Sequence, residues 1–338
     1  MSTRGVRLAA AVVGVPVIAA GAAYGYTQWH MRRIPVPARK PLRRALLAHN
    51  YGIMDAGLAS TNYEAAIRES LAAGLPMGSD VVTGIIEHLA DYYRKIGAVA
   101  QRRETLERLV EAVAIAPPGE ASADREQRLR RALKAAQWSA EAAEEDGDGA
   151  AAQAHYESIV ALSMVSPRDE QVHGNLAPTT GRMQIGNWAT PRQVGSSLEQ
   201  LGRLYSAHGH PGWAAHAYQR ALEMLELDTD LPQVERRCRS SILHNNLAEV
   251  LTQVSSGQTA LAYALELALL SASIAREPGP RGACAVCEPV ALYNAGSILG
   301  LMGQRQQSQK YLQLALARSN TIGYAEGAER ARRALETA

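Results

Sequence analysis

An all-α solenoid of antiparallel helix pairs, led by one membrane-crossing helix, is the fold class that three observations predict. Ala, Leu, Glu, Arg and Gln at helical spacing dominate the chain, with none of the alternating Val, Ile and Thr runs and hairpin turns of a sheet protein. Leu201-Gly202-Arg203-Leu204-Tyr205, followed by Ala214, Tyr218 and Ala221, sets a small-and-aromatic spacing that returns twice downstream. A run of apolar and small residues from Leu8 to Tyr26 stands near the start. With 338 residues and 47% hydrophobic content the chain can bury a large core, and Tyr and Leu take its aromatic positions because it has no phenylalanine.

Residues 1–7 are a basic segment carrying Arg4 and Arg7, and residues 8–29 read as a transmembrane anchor. Nineteen helical residues from Leu8 to Tyr26 rise about 28 Å, close to the thickness of a bilayer core. Tyr24, Tyr26 and Trp29 sit at the far end as interfacial aromatics, and Arg32, Arg33, Arg39, Lys40, Arg43 and Arg44 follow. A cleavable secretory signal would instead end on small neutral residues. Gly21 and Gly25 have the G-x-x-x-G spacing that lets membrane helices pack closely. The first 54 residues hold eight Lys or Arg and no acid, leaving 27 basic and 33 acidic residues in the remainder. Such a start suits mitochondrial delivery. The basic flank after the span favours keeping the repeats on the cytosolic or matrix side, and it meets anionic headgroups rather than nucleic acid.

Residues 30–44 form a basic, Pro-containing linker in which Pro35, Pro37 and Pro41 interrupt helical periodicity. Divergent helical repeats follow over 45–165, fitted by Tyr63-Glu64-Ala65-Ala66-Ile67, by Leu89-Ala90 with Tyr93 and Leu106, and by Trp138 with Ala152 and Tyr156. Breaks fall at Pro117-Pro118 and at Asp146-Gly147-Asp148-Gly149. Residues 166–194 are an irregular connection, too long for an ordinary helix-helix turn, with Trp188 expected to plug it onto the solenoid.

The clearer repeats occupy 195–338, where Gly202, Tyr205, Ala214, Tyr218 and Ala221 have the spacing of a tetratricopeptide repeat. Small Gly202 and Ala214 let the two helices of a pair touch, while Tyr205 and Tyr218 are expected in the seam against the next pair. Asn246-Leu247-Ala248 and Asn294-Ala295-Gly296 repeat the pattern, and Gly202, Ala248 and Gly296 lie 46 and 48 residues apart. The standard repeat is ~34 residues, so these units are extended. First helices of such pairs line a concave face, on which Gln200, Arg203, Asn246, Glu249, Asn294 and Ser297 are the candidate peptide-binding residues. The same amides would also serve as hydrogen bonds between repeats. A clamp for a peptide carboxylate would need more Lys or Arg there.

Catalysis has no support in the residues. Gly195-Ser196-Ser197 lacks the strand-turn-helix setting of a nucleophile, and no phosphate loop occurs. Cys284-Ala285-Val286-Cys287 offers two thiols where structural zinc takes four ligands, so the pair reads as small residues at a helix start before Pro289. Cys238 is the third thiol. His208, His210 and His216 cluster near a turn and read as surface residues. No cofactor or metal is assigned.

From about Trp188 to Leu335 the chain resembles the tetratricopeptide adaptor subunit of the fungal mitochondrial i-AAA protease. The resemblance rests on Leu198-Glu199-Gln200-Leu201-Gly202-Arg203-Leu204-Tyr205, Leu243-His244-Asn245-Asn246-Leu247-Ala248-Glu249, Ala291-Leu292-Tyr293-Asn294-Ala295-Gly296 and Ile322-Gly323-Tyr324-Ala325-Glu326-Gly327. It implies a non-catalytic, single-span inner-membrane protein with its repeats in the intermembrane space. Its partners would be AAA protease subunits, to which it hands unfolded or misfolded clients, and membrane lipid. An outer-membrane import receptor and a respiratory-complex assembly factor are the alternatives.

Overall fold

The computed structural model describes residues 31–51, 56–114, 122–164, 183–276 and 284–337. Thirteen helices occur among them, with no strand beyond one isolated bridge between Met164 and Ile185. The predicted anchor at 8–29, with Gly21 and Gly25, lies outside the described residues. So do Pro117-Pro118 and residues 166–182 of the irregular connection. The chain divides into two compact units after Ala142.

The first unit holds α1 (Val36–Tyr51), α2 (Ala56–Ala72), α3 (Asp80–Lys95), α4 (Val99–Ala114) and most of α5 (Ser122–Glu145), with α1 packing on α2, α2 on α3 and α3 on α4. In α3, Ser79 caps the first turn by accepting from the Val82 N–H, Asp80 meets the positive end of the dipole, and Arg94 and Lys95 meet the negative end. Val82, Ile85, Ile86, Leu89 and Ala90 recur at three and four residues and are buried. Surface pairs tie α5 to α3: Lys134 to Glu87 at 2.6 Å, Gln127 to Asp80 at 2.7 Å, and Arg131 to Asp80. Exposed pairs of this kind contribute at most ~1 kcal/mol each, and α5 also buries Leu133, Ala132 and Ala136.

Over the segment expected to be a linker, helix α1 already begins at Val36 and runs through Pro41. Pro37 sits in the first turn, where its missing N–H would have had no partner anyway. Pro41 forfeits one interior hydrogen bond at a cost of ~3 kcal/mol. Burial of Ala38, Leu42 and Ala45 offsets it, so packing overrides the local signal.

The second unit holds α6 (Gly149–Ser163), α7 (Pro191–Ala207), α8 (Pro211–Leu227), α9 (Gln233–Val254), α10 (Gln258–Arg276), α11 (Cys287–Leu301), α12 (Arg305–Ile322) and α13 (Ala325–Thr337). Each packs on its successor, and α9 also touches α11. Three antiparallel pairs, α7/α8, α9/α10 and α11/α12, are thus stacked and closed by α13. Gly209 takes φ +77° between α7 and α8, which lets the His210 N–H reach back to the Tyr205 carbonyl at 2.8 Å. Equivalent bonds close the turns at Gly147 and Gly303.

Within the α7/α8 pair, a Cβ on Gly202 would come within 2.5 Å of the Tyr218 ring. Tyr218 therefore fills the notch inside its own pair, where the spacing alone had placed it between pairs. Tyr205 does reach outward: its hydroxyl donates to Glu157 on α6 at 2.8 Å. In α11/α12 Gly296 faces Leu312 in the same way, while α9/α10 uses Ala248 and Ala264, both fully buried. Ala214 and Ala221 are buried as well.

Two further elements differ from expectation. Helix α7 starts at Pro191, four residues inside the segment expected to be irregular, because Thr190 and Gln193 form a reciprocal capping box ahead of a proline at the first helical position. Just before it, Trp188 Nε1 donates to the Leu162 carbonyl at 2.8 Å and the Gly186 N–H to Ser163, so the segment seals the C-terminal end of α6. Among the described residues α10 alone is long and apolar enough to cross a membrane, with mean hydropathy 1.3. It is also a paired member of the stack, with Leu261, Ala264, Leu267, Ala268 and Ala272 buried against its neighbours.

Candidate functional site

The six candidate peptide-binding residues fall on the first helices of the three stacked pairs: Gln200 and Arg203 on α7, Asn246 and Glu249 on α9, Asn294 and Ser297 on α11. Each couple is three residues apart and so shares a helical face. On α7, Arg203 Nε donates to Gln200 at 2.9 Å, and the guanidinium also pairs with Glu144 at the end of α5. On α11, Asn294 Nδ2 donates to the Asn245 side chain of α9 at 3.1 Å, and the Ser297 hydroxyl donates to the carbonyl of Tyr293 on its own helix. Asn246 is half-buried and Glu249 exposed.

The amide bond between repeats thus uses Asn245, the neighbour of the residue picked from the sequence. Asn245 is buried, and one residue on a helix is a turn of about 100°. Arg239 links the other first helices, donating from α9 to the Ser196 hydroxyl of α7 at 3.0 Å. Ser197 bonds back to Gln193 of its own helix. Gly195, Glu199, Met224, Leu231, Arg239 and Leu243 line a cleft here of about 20 Å³, room for one water molecule. Burial raises the Glu199 carboxyl above its ordinary value, with Arg239 opposing.

The three histidines of the α7/α8 turn separate. His208 bonds to Gln153 of α6 at 3.0 Å, His210 precedes α8 without a side-chain cap bond, and His216 lies on α8 with its pKa lowered by burial and then by Arg220. The thiols converge instead. Cys238 on α9, Cys284 in the turn before α11 and Cys287 at the start of α11 place their three sulfurs within 4.8 Å of one another, with Cys284 and Cys287 2.9 Å apart. Burial pushes the Cys238 thiol up to about 12 and the Cys284 thiol to about 11, and raises Cys287 too. Protonated thiols are poor nucleophiles. The sequence offered the pair but not its third member, which lies 46 residues upstream of Cys284 and joins them only through the packing of α9 on α11.

No known family model matches the chain, and no characterised protein matches it in sequence. Similar solved structures include BtubC (BKLC) from P. vanneervenii, 13% identical over 80% of this chain and 93% of that one, with a TM-score of 0.49. The MamA protein is 14% identical over 72% of this chain and 95% of its own, with a TM-score of 0.44. TPR-like repeats of a putative kinesin light chain from Podosopora anserina are 17% identical over 71% and 95%, with a TM-score of 0.45. Likenesses of this degree say nothing about partners, and the architecture rests on the helix pairs themselves.

Proposed function

We propose that this chain is a non-catalytic, membrane-tethered adaptor that holds unfolded or misfolded polypeptides along the first helices of its repeats and delivers them to an AAA protease of the mitochondrial inner membrane. The observation that carries the binding reading is the polar row on α7, α9 and α11, which stacking places on successive first helices. Amides and hydroxyls in such a row suit the backbone of an extended peptide, whose groups recur regardless of sequence. The acid-free basic start and apolar run of residues 1–29 support tethering and mitochondrial delivery, and the resemblance over 188–335 supports the protease as recipient and the intermembrane space as the site of the repeats.

Binding is tested by titrating the purified full-length chain in detergent with a fluorescent, permanently unfolded protein. Changing Asn246 and Glu249 together to Ala should weaken binding about 5–10-fold, roughly 1–1.4 kcal/mol, without lowering the melting temperature. Equal binding by both forms removes the row as the binding surface. A second reading, an import receptor of the outer membrane facing the cytosol, is favoured by the basic flank from Arg32 to Arg44. Protease added to intact mitochondria would then digest the repeats; in the first reading they are cut only after the outer membrane is ruptured.

A further inference from the structure

The contact between α9 and α11 is built as two rungs in one register. Cys238 lies seven residues before Asn245 on α9, and Cys287 seven residues before Asn294 on α11. Asn245 and Asn294 share a hydrogen bond of 3.1 Å, and Cys238 and Cys287 lie within 4.8 Å of one another and of Cys284. Seven residues are two helical turns, so the rungs are about 10 Å apart on helices running the same way. One rung is an amide pair, complete in itself. The other brings together three sulfurs with no acid or imidazole in the group.

We propose that Cys238, Cys284 and Cys287 form a three-coordinate thiolate site for one soft metal ion, Cu(I), which staples the first helices of consecutive repeats. Three thiolates around such an ion at ~2.3 Å stand about 4 Å apart, wider than the 2.9 Å between Cys284 and Cys287 and inside the 4.8 Å that bounds the set. The sulfurs would therefore move by about an ångström at most to close on an ion. Soft thiolates select Cu(I) and zinc, and a set of three without a fourth donor matches Cu(I) better than a structural zinc site, which takes four. A disulfide needs only Cys284 and Cys287 and gives no role to the thiol that α9 aims at them. Binding replaces the three S–H protons by one Cu⁺, so three protons leave per ion and no electron is transferred. This assignment stands independently of the adaptor reading.

The test uses the full-length chain, reduced and anaerobic in detergent, titrated with Cu(I) against a chromogenic Cu(I) chelator, and in parallel with Zn(II). The expected result is one Cu(I) per chain, held more tightly than Zn(II), with X-ray absorption showing three sulfurs at ~2.3 Å. Cys238→Ser and, separately, Cys284→Ser should each weaken Cu(I) binding at least ~100-fold, since even a change outside the ligand shell costs ~10–100-fold. Helical circular dichroism of each variant confirms that the fold survives. Cys284 lies in a turn, so its variant tests the site where loss of Cys238 disturbs α9. Unaltered Cu(I) affinity in either folded variant overturns the proposal. So does tighter Zn(II) binding with an added oxygen or nitrogen ligand, or alkylation and mass spectrometry showing Cys284 and Cys287 joined in the protein as isolated under reducing conditions.

Discussion

At the scale of single residues, two helical glycines in this chain carry opposite consequences, which makes the packing argument testable. Replacing glycine by alanine inside a helix gains up to ~1 kcal/mol from backbone preference alone. Gly84 on α3 has no atom within 4 Å of an added Cβ, so Gly84→Ala should stabilise the protein by about 0.5–1 kcal/mol. At Gly202 the same methyl would press to within 2.5 Å of the Tyr218 ring. Overpacking of this kind costs ~1–3 kcal/mol, which outweighs the gain, and Gly202→Ala should destabilise by a net ~1–2 kcal/mol. Urea unfolding of the two variants decides the matter. Adding Tyr218→Leu to Gly202→Ala should recover part of the loss, because the smaller side chain vacates the notch. If Gly202→Ala raised stability as Gly84→Ala does, the tight seam between α7 and α8 would not exist.

At the scale of elements, α9 and α10 show how a pair without a glycine notch is locked. The Ser271 hydroxyl donates to the Ser241 carbonyl at 2.8 Å, and Ser241 bonds to the Ser271 carbonyl and hydroxyl, with both residues buried. The Ser241 carbonyl keeps its own helical partner, so Ser271→Ala removes one buried bond between the helices and should cost ~0.5–1.5 kcal/mol. Ser297→Ala, whose hydroxyl returns to its own helix, should cost less than ~0.5 kcal/mol; equal melting of the two variants would contradict the interhelical role. Much of the element pattern was legible because its causes are local: Gly147 ends a helix at the predicted break, where a left-handed residue serves, and small Gly202 marks a close approach of two helices. Four features were not legible. Nothing local says that Tyr218 fills the notch at Gly202 and not the seam between pairs. Pro41 reads as a breaker until Ala38, Leu42 and Ala45 are known to be buried. Asn245 and Asn246 are equivalent in sequence, and only the angle at which α9 meets α11 selects the first. Cys238 has no local signal at all, since its partners arrive through the stacking of a later pair.

At the scale of the whole molecule, the two units carry different titratable cores and should answer acid differently. In the first unit the His49 side chain is only 3% exposed, with Nδ1 at 2.8 Å from the Tyr63 hydroxyl and Nε2 at 3.4 Å from Asp91. Burial lowers its pKa, the Lys95 charge adds to the shift, and Asp91 opposes it. His88, stacked on Tyr63, is lowered too, again chiefly by desolvation. A histidine whose folded pKa lies below the unfolded value of ~6.5 takes up its proton more readily when unfolded. Its contribution is complete above that value and is lost as pH falls from there toward the folded pKa. In the second unit His216 acts in the same direction, but Glu199 acts in the opposite one. A carboxyl raised by burial stabilises the folded form at low pH, and that contribution fades as pH rises through the folded value, so acidification restores part of what His216 loses. Lowering pH from 7.5 to 5.5 should therefore weaken α1 to α4 more than α7 to α12. Hydrogen exchange, corrected for the intrinsic dependence of exchange on pH, reads each unit separately. Greater loss of protection in the second unit would reverse the assignment. His49→Gln should flatten the response of the first unit, because the remaining amide cannot take up a proton; a variant that kept the full acid sensitivity would show that His49 is not its source.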